Sequence, residues 1–406
     1  MDNSEWGIEG VKFTTDYEFS PQRNYKKGLA FTFIGSFFFV IMVVFLLVFS
    51  SLIGVVSEVI SEVEELEENF MIVDDSDDIE YGYRLDVNSN LYMKLATNEY
   101  PFEAGSEYPD FSSTVFIWGP TIDDGDDPEF GISGSGVVIS EYFIMTAAHV
   151  IDNLSVSDTE IYVGNDYEKG YENDWYSVEK FHIHPGWVLD EDENERMEGG
   201  VDIALIELSR PISGIEPAKW ANSSGLDDFL FNELVYTSGF GDYDSEFSNC
   251  GESCLDDGSG YFSKKRAWSN SLDRIKDDIS PFYHYPGKGG WNGGLIATDF
   301  DSLRNNPNSL SSEGNEQSSK FGKFDYAGKG DSNSTPTWLE GTSVQGDSGG
   351  PTFVKIANEW IVIGITSFGQ TYTGDYGSLS FDTRVSSHVH WICSISDSSA
   401  AKIDRC

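Results

Sequence analysis

Residues 341–351, which read Gly-Thr-Ser-Val-Gln-Gly-Asp-Ser-Gly-Gly-Pro, constrain the fold more than any other stretch of the chain. Glycines on both sides of Ser348 allow a tight turn, because glycine adopts backbone angles that other residues avoid. In such a turn the N–H groups of Gly346 and Ser348 can point at one developing oxyanion. Ser348 is therefore a candidate nucleophile, and its hydroxyl needs a base.

Two upstream motifs offer the groups that a serine nucleophile needs. His149 ends the apolar run Met-Thr-Ala-Ala-His, and Asp202 opens the run Asp-Ile-Ala-Leu-Ile. A histidine can accept the serine proton, and a carboxylate can orient that histidine. Each residue alone has an ordinary structural interpretation as a turn or core residue. Together, His149, Asp202 and Ser348 form a candidate catalytic set.

The motifs Thr-Ala-Ala-His, Asp-Ile-Ala-Leu and Gln-Gly-Asp-Ser-Gly-Gly-Pro, in that order, resemble those of the chymotrypsin- and trypsin-like serine endopeptidases. The resemblance runs from about residue 114 to 392. It implies an all-β fold of two antiparallel six-stranded β-barrels with a C-terminal helix. It also implies hydrolysis of protein or peptide substrates without a metal or other cofactor. Strand-like runs between turn residues agree with that fold and include 114–118, 136–139, 142–145, 161–163 and 203–208.

The same resemblance bears on specificity. Trypsin-like members carry an aspartate six residues before the nucleophile, where this chain has Thr342. A neutral pocket for apolar or aromatic side chains is therefore expected, although Asp375 or Asp382 can still enter it from the neighbouring loop. The wall on which the substrate backbone pairs is expected to be formed by Ser367, Phe368 and Gly369.

Residues 29–56 are 28 residues without a charge, and they predict a membrane helix. At 1.5 Å per residue they would extend about 42 Å, against a hydrocarbon core of about 30 Å. Four basic residues precede the segment and none lies between 57 and 83, which predicts a cytoplasmic N-terminus. A single-pass anchor with an extracellular or periplasmic protease domain is the preferred interpretation. A cleaved signal peptide and a buried core helix are the alternatives.

The expected organisation follows from these features. Residues 1–28 form a cytoplasmic tail, 57–94 an acidic stalk or linker that can serve as a propeptide, and 95–406 the protease domain. The interval 242–340 is longer than relatives need and is interpreted as an insertion, with its contact to the cleft left open. Within it, residues 264–270 resemble a segment of some bacterial members, which suggests a microbial source.

The resemblance also implies activation by proteolysis. Asp347 is expected to pair with an α-amino group that an activating protease frees, so the full-length chain is expected to be a zymogen. No Ile-Val-Gly-Gly sequence occurs, and the preferred cut lies between Lys94 and Leu95, with Ile79 as the alternative new N-terminus. No cysteine precedes Cys250, so the cut would also release the domain from its anchor.

The chain has 69 acidic and 25 basic residues, a formal charge of −44, which disfavours nucleic acid and anionic membrane surfaces as partners. Solubility in salty surroundings and a preference for basic substrates both remain as explanations. The four cysteines permit three full pairings, of which the local one, Cys250–Cys254 with Cys393–Cys406, is the simplest, and disulfides would need an oxidising compartment. A metal site is disfavoured, because no histidine has ligand spacing to either pair.

Two other functions are compatible with parts of the sequence. One is a catalytically silent, membrane-anchored binding protein on the protease fold, which the intact set of His149, Asp202 and Ser348 disfavours. The other is an esterase with the same three residue types. The chain order of α/β-hydrolases is Ser, Asp, His, and this chain does not have it.

Overall fold

The computed structural model describes residues 82–84, 87–99, 107–122, 131–188, 197, 199–227, 229–241, 264–276, 294–301, 309–310, 332–369 and 376–406. Several predictions fall outside these residues, namely the tail at 1–28, the membrane segment at 29–56, Ile79, Cys250, Cys254 and Asp375. No helix of the described part is both long enough and apolar enough to cross a membrane.

The first half of the described chain forms a closed six-stranded antiparallel barrel, as predicted. Its strands are β1 (Thr114–Pro120), β2 (Gly131–Ser140), β3 (Phe143–Thr146), β4 (Glu160–Tyr162), β5 (Trp175–Ile183) and β6 (Ala204–Leu208). Their order around the barrel is β1-β2-β3-β6-β5-β4. Val, Ile and Phe dominate these runs, and such residues favour strands because their side chains pack well on a pleated surface. A two-residue turn, 141–142, joins β2 to β3.

The second half forms one antiparallel sheet of seven strands, so the prediction of six strands is wrong here. They are β7 (Leu234–Gly239), β8 (Arg266–Ser271), β9 (Arg274–Lys276), β10 (Leu295–Asp299), β11 (Pro351–Ile356), β12 (Glu359–Gly369) and β13 (Leu379–Arg384). The order is β8-β7-β11-β12-β13-β10-β9. The sheet curls so that β8 and β10, which are not neighbours in this order, approach each other. Asn270 of β8 donates from Nδ2 to the backbone O of Asp299 in β10 at 2.9 Å. The short strand β9 is the seventh strand, added beside β10.

The interval 242–340 is not a surface elaboration. Its described parts supply β8, β9 and β10, and every residue of β8 and of β10 is buried. The glycine- and serine-rich composition of the whole interval hid these two short runs, because each is only five or six residues long. The predicted insertion therefore contains strands that the second barrel needs.

The folded domain also begins before the predicted boundary at residue 95. Helix α1 (Asn90–Thr97) packs on β8 and buries Leu91, Tyr92, Leu95 and Ala96. Tyr83 is only 3 % exposed and belongs to the same hydrophobic core. The last part of the predicted acidic linker is thus part of the domain.

The remaining helices are short except at the C-terminus. They are α2 (Ala148–Ile151), α3 (Pro185–Val188) and α4 (Val389–Ser398), with 3-10 turns at Phe111–Ser113, Tyr167–Lys169, Glu172–Asp174 and Val385–His388. Helix α4 is the predicted C-terminal helix.

A disulfide between Cys393 and Cys406 ties the end of the chain to α4, as the local pairing predicted. Closing a loop of this length stabilises a fold by roughly 3 kcal/mol in the chain-entropy model. The C-terminal residues also contact the segment between the two barrels. Trp220 of that segment donates from Nε1 to the backbone O of Asp404 at 3.0 Å. One hydrophobic core runs through both barrels and includes Val137 of β2 and Ile363 of β12.

Candidate active site

His149 and Asp202 lie together at one edge of the first barrel. His149 belongs to α2, directly after β3, and Asp202 lies just before β6, the neighbour of β3. The Asp202 carboxylate accepts the backbone N–H of His149 at 2.9 Å and faces its Nδ1 at 2.7 Å. The aspartate side chain is completely buried, whereas that of His149 is 17 % exposed. The imidazole is thus anchored on one side and reachable on the other.

This contact determines which nitrogen of His149 is basic. A carboxylate only accepts hydrogen bonds, so Nδ1 carries the proton of the neutral ring, and Nε2 is the nitrogen that can accept another. The second barrel fixes the aspartate, because Ser367 Oγ donates to its Oδ2 and Thr383 Oγ1 donates to its backbone O at 2.8 Å. The side chain of Ser367 is therefore directed at Asp202.

The loop that carries Ser348 docks on strand β2 of the first barrel through Ser135. The backbone N–H of Ser135 donates to the backbone O of Ser348 at 2.7 Å, and its Oγ donates to the backbone O of Gly346 at 2.9 Å. The same Oγ accepts the backbone N–H of Phe240 at 2.9 Å. Ser135, which is fully buried, thus connects the nucleophile loop to both barrels.

Two glycines let the histidine segment and the serine loop come close to each other. A Cβ placed on Gly134 would lie 2.7 Å from Val150 Cγ1 and 3.2 Å from the backbone O of Ser348. A Cβ placed on Gly349 would lie 2.1 Å from the backbone O of Ser135. Val150 packs on Gly134 and so holds α2 close to the serine loop.

The backbone N–H groups of Gly346 and Ser348 are the candidate donors of the oxyanion hole. Gly346 has φ +91°, a conformation that favours glycine. Among the hydrogen bonds of the described residues, the N–H groups of Asp347, Gly349 and Gly350 are all donated to backbone oxygens. In that same part of the chain no acceptor is found for the N–H groups of Gly346 and Ser348.

Asp347 has a buried basic partner that the sequence analysis did not foresee. Arg266 of β8 forms an ion pair with its Oδ2, and both side chains are almost completely buried. The backbone N–H groups of Gly241 and Val344 each donate to this carboxylate at 2.9 Å. Burial raises the pKa of Asp347, whereas the guanidinium and the two amides favour its charged form. The expected partner, a freed α-amino group, is replaced here by Arg266.

The bond between Lys94 and Leu95, the preferred activation site, lies in helix α1 and not in an exposed loop. Leu95 lies inside α1 and is completely buried, and the backbone O of Lys94 accepts the N–H of Glu99 at 3.0 Å. A protease needs an extended, accessible substrate, so the bond between Lys94 and Leu95 becomes available only when α1 opens. The expectation of a cut at this bond therefore conflicts with the folded state.

The expected pocket residues lie around the ends of β12 and β13. Thr342 is buried, and next to it Ser343 Oγ lies 2.7 Å from Ser380 Oγ on β13. Phe368 stacks on Phe381 with ring centroids 4.7 Å apart, and the neighbouring Gly369 is exposed at the end of β12. Thr342, Ser343 and Ser380 therefore give this part of the expected pocket neutral side chains with hydroxyl groups.

Asp382 lies in strand β13 and not in a loop. Its Oδ2 accepts a hydrogen bond from Thr352 Oγ1 at 2.6 Å, and a Cβ on Gly364 would lie 2.8 Å from the same oxygen. Burial raises the pKa of Asp382 to about 7. It shares a strand face with Ser380, two residues away, but its carboxyl group is enclosed by β11 and β12. Asp382 is therefore a core acid beneath the pocket.

Sequence reasoning missed Ser135 and Arg266. Nothing marks Ser135, because a serine in a run such as Gly-Ser-Gly is ordinary for a turn. Arg266 carried a signal, since it ends the run Lys-Lys-Arg at residues 264–266 inside a segment already singled out. A basic residue at the start of an otherwise uncharged strand is an indication of a buried acidic partner.

The geometry agrees with comparisons to known proteins. A family model described as Trypsin matches residues 125–253 and 321–392, just under half of the chain. The first match contains His149 and Asp202, and the second contains Ser348. Arg266 lies in the part between the two matches.

Several curated proteins are similar to parts of the chain. The complement C1s subcomponent of Rattus norvegicus is 37 % identical over 82 residues, 20 % of this chain and 12 % of that protein. The calcium-dependent serine proteinase of Mesocricetus auratus is 35 % identical over 88 residues, 21 % and 12 % of the two chains. The CLIP domain-containing serine protease B4 of Anopheles gambiae is 24 % identical over 279 residues, 65 % and 62 % of the two chains.

The chain thus spans only about an eighth of the length of the first two relatives and less than two thirds of the third. The residues that the family model matches include strands of both barrels and the segments of His149, Asp202 and Ser348. Over parts of its length this chain is thus similar to trypsin-like serine proteases.

Proposed function

We propose that this protein is a serine endopeptidase that cleaves peptide bonds through an acyl-enzyme. The observation that carries the proposal is the contact of His149 Nδ1 with the buried carboxylate of Asp202 at 2.7 Å, beside the docked loop of Ser348. Ser348 Oγ attacks the scissile carbonyl carbon while His149 Nε2 takes the hydroxyl proton and passes it to the leaving amine. Water then attacks the acyl-enzyme with the same histidine as base, and Ser348 is released.

Two groups of this chain stabilise charge during that reaction. Asp202 stabilises the imidazolium form of His149, and its own position depends on Ser367 and Thr383. The N–H groups of Gly346 and Ser348 form the oxyanion hole. One such donor typically contributes about 100- to 1000-fold to the rate.

Substrates are proposed to be proteins or peptides with an apolar or aromatic side chain in the pocket. The support is the neutral character of Thr342, Ser343 and Ser380, together with the enclosed position of Asp382. An acid that could receive a lysine or arginine side chain is absent from this set of described residues.

The oxyanion loop is proposed to be ordered without proteolytic activation. The expectation of a zymogen rested on Asp347 having no basic partner within its motif. Arg266, which lies outside that motif, forms a buried ion pair with Asp347. An activating protease is then unnecessary for ordering the loop.

Membrane anchoring through residues 29–56 is proposed from the sequence, with the protease domain outside the cell or in the periplasm. Its support is the uncharged run of 28 residues and the basic residues before it. Full-length protein should stay in the membrane fraction after an alkaline wash. Recovery of intact full-length chain in the wash would contradict anchoring.

The first prediction concerns the nucleophile. Ser348→Ala should lower peptide hydrolysis by about 10⁴-fold or more and abolish labelling by a fluorophosphonate, because the attacking oxygen is lost. Its melting temperature should change little. Ser394→Ala on helix α4, as a matched control, should keep both activity and labelling. Labelling of Ser348→Ala at the wild-type level would contradict the proposed function.

The second prediction concerns the loop. Arg266→Met should lower stability by roughly 3–5 kcal/mol, because Asp347 is left buried and unpaired. It should also lower kcat per labelled site by about 100-fold, the effect of losing one oxyanion donor. Uncleaved protein that still begins at Met1 should be active.

Arg384→Met is the control, since Arg384 donates from Nη2 at 2.6 Å to another buried acid, Asp227. It should be destabilised to a similar extent, with kcat per labelled site within a few-fold of wild type. Equal kcat values for the two variants would contradict the role of Arg266. Activity that appears only after an N-terminal cut would restore the zymogen interpretation.

The third prediction is a pH dependence of stability. Burial raises the pKa of Asp382 to about 7 and that of Glu340 to about 8, from ordinary values of 3.8 and 4.5. The folded state holds these protons more tightly than the unfolded state. Their stabilisation is therefore complete below about pH 4 and is lost as the pH rises through 7 to 8.

The stability that these two groups contribute should thus fall between about pH 4 and 8, by about 1.4 kcal/mol per unit of pKa shift for each group. A comparison of variants isolates this fall, because the lowered pKa values of buried His184, His388 and Lys265 act in the opposite direction. The melting temperature of Asp382→Asn should have a less negative slope against pH than that of the wild type, because a neutral amide resembles the protonated acid. The exposed Asp397→Asn should keep the wild-type slope. Equal slopes for the wild type and Asp382→Asn between about pH 4 and 7 would contradict this prediction.

A further inference from the structure

We infer that residues 82–84 and 90–97, here called the N-terminal clamp, hold the base of the substrate pocket and the oxyanion loop in position. The inference rests on the proposed function and extends it to a segment that precedes the catalytic motifs. It also reverses the expected effect of a cut near Lys94. Such a cut would remove a positioning element and lower activity.

The clamp is hydrogen-bonded to the base of the pocket. The backbone O of Gly82 accepts the N–H of Thr342 at 3.0 Å, and Tyr83 forms an antiparallel bridge with Gly341. On its other side, Gly341 donates its N–H to the backbone O of Ser269 in β8 at 3.3 Å. Residues 341 and 342 are therefore held between the clamp and the second barrel.

Gly82 lies directly against the residues that fix the oxyanion loop. Its φ is +81°, and a Cβ placed there would lie 3.0 Å from each of Arg266 Nη1, Thr342 O and Val344 Cγ1. Val344 donates its backbone N–H to Asp347, the partner of Arg266. One atom added at position 82 would therefore press on three groups that set the loop geometry.

Helix α1 anchors the clamp to the same region. Tyr92 Oη donates to the backbone O of Glu340 at 2.7 Å and accepts the backbone N–H of Arg84 at 3.0 Å. Arg84 donates from Nη1 to the backbone O of Thr337 at 2.7 Å. The buried face of the helix packs on β8, the strand that carries Arg266.

These contacts converge on one short stretch. The clamp contacts residues 337, 340, 341 and 342, which lead directly into the loop of Asp347 and Ser348. A displacement of the clamp would be transmitted to Thr342 and Val344 through main-chain hydrogen bonds and close packing. His149 and Asp202 lie on the first barrel and have no part in these contacts, so the loss would be confined to the serine side of the site.

The test compares Gly82→Ala with Gly214→Ala in the full-length chain. Gly214 has φ +91° and nothing within 4 Å of an added Cβ, so it shares the backbone strain without the collisions. Gly82→Ala should lower kcat/KM for a peptide substrate at least tenfold, by raising KM through the pocket and by lowering kcat through the oxyanion loop, per site titrated with a fluorophosphonate. Gly214→Ala should keep both kinetic constants within twofold of wild type.

A second pair covers the case in which Gly82→Ala does not fold. Tyr92→Phe removes both hydrogen bonds of the hydroxyl without leaving a cavity, and it should lower kcat/KM about threefold or more. Tyr162→Phe is its control, because Tyr162 Oη in the first barrel also makes two backbone hydrogen bonds. It donates to the backbone O of Asp166 and accepts the backbone N–H of the same residue. Tyr162→Phe should leave the kinetics unchanged.

The outcomes separate the inference from the proposed function. Wild-type protein that neither labels nor hydrolyses peptides would refute the proposed function and, with it, the clamp as a positioning element. Active wild type with folded Gly82→Ala or Tyr92→Phe of unchanged kcat and KM per labelled site would refute the clamp alone. Loss of activity in the clamp variants but not in their controls would establish it.

Discussion

The buried pair of Arg266 and Asp347 is the interaction on which the catalytic half of the structure depends. Removing two charges from water costs several kcal/mol each, and their attraction offsets this only when hydrogen bonds satisfy the remaining lone pairs. Here the carboxylate also accepts two backbone N–H groups. That requirement fixes the backbone at Val344, just before the nucleophile, and at Gly241, because both amides must stay aimed at the acid.

The same pair explains why β8 and α1 belong to the domain. Arg266 must enter the core from a strand that cannot slide, and β8 is held between β7 and the bridge to Glu340. Helix α1 packs on β8, and both side chains of the ion pair are almost completely buried. The lower dielectric that results strengthens the attraction between the two charges and raises the cost of breaking it.

The site is assembled by contacts between barrels more than by contacts within one. Ser135 of the first barrel holds the backbone of the serine loop, while Ser367 and Thr383 of the second barrel hold Asp202. Each barrel thus positions a catalytic group that the other barrel carries. Hydroxyl groups serve this purpose because they donate and accept at once within a buried interface.

By itself the sequence determined the Cys393–Cys406 disulfide through short spacing, and through the resemblance of three motifs it indicated the double barrel and proposed His149, Asp202 and Ser348 as the catalytic set. It did not determine that β8 and β10 lie inside the interval 242–340, or that α1 belongs to the domain. Only the tertiary structure decided the partner of Asp347. Arg266 is 81 residues away along the chain, and a pairing of that kind is set by how strands stack in space. The composition of the sequence near Asp347 therefore does not predict its pairing with Arg266.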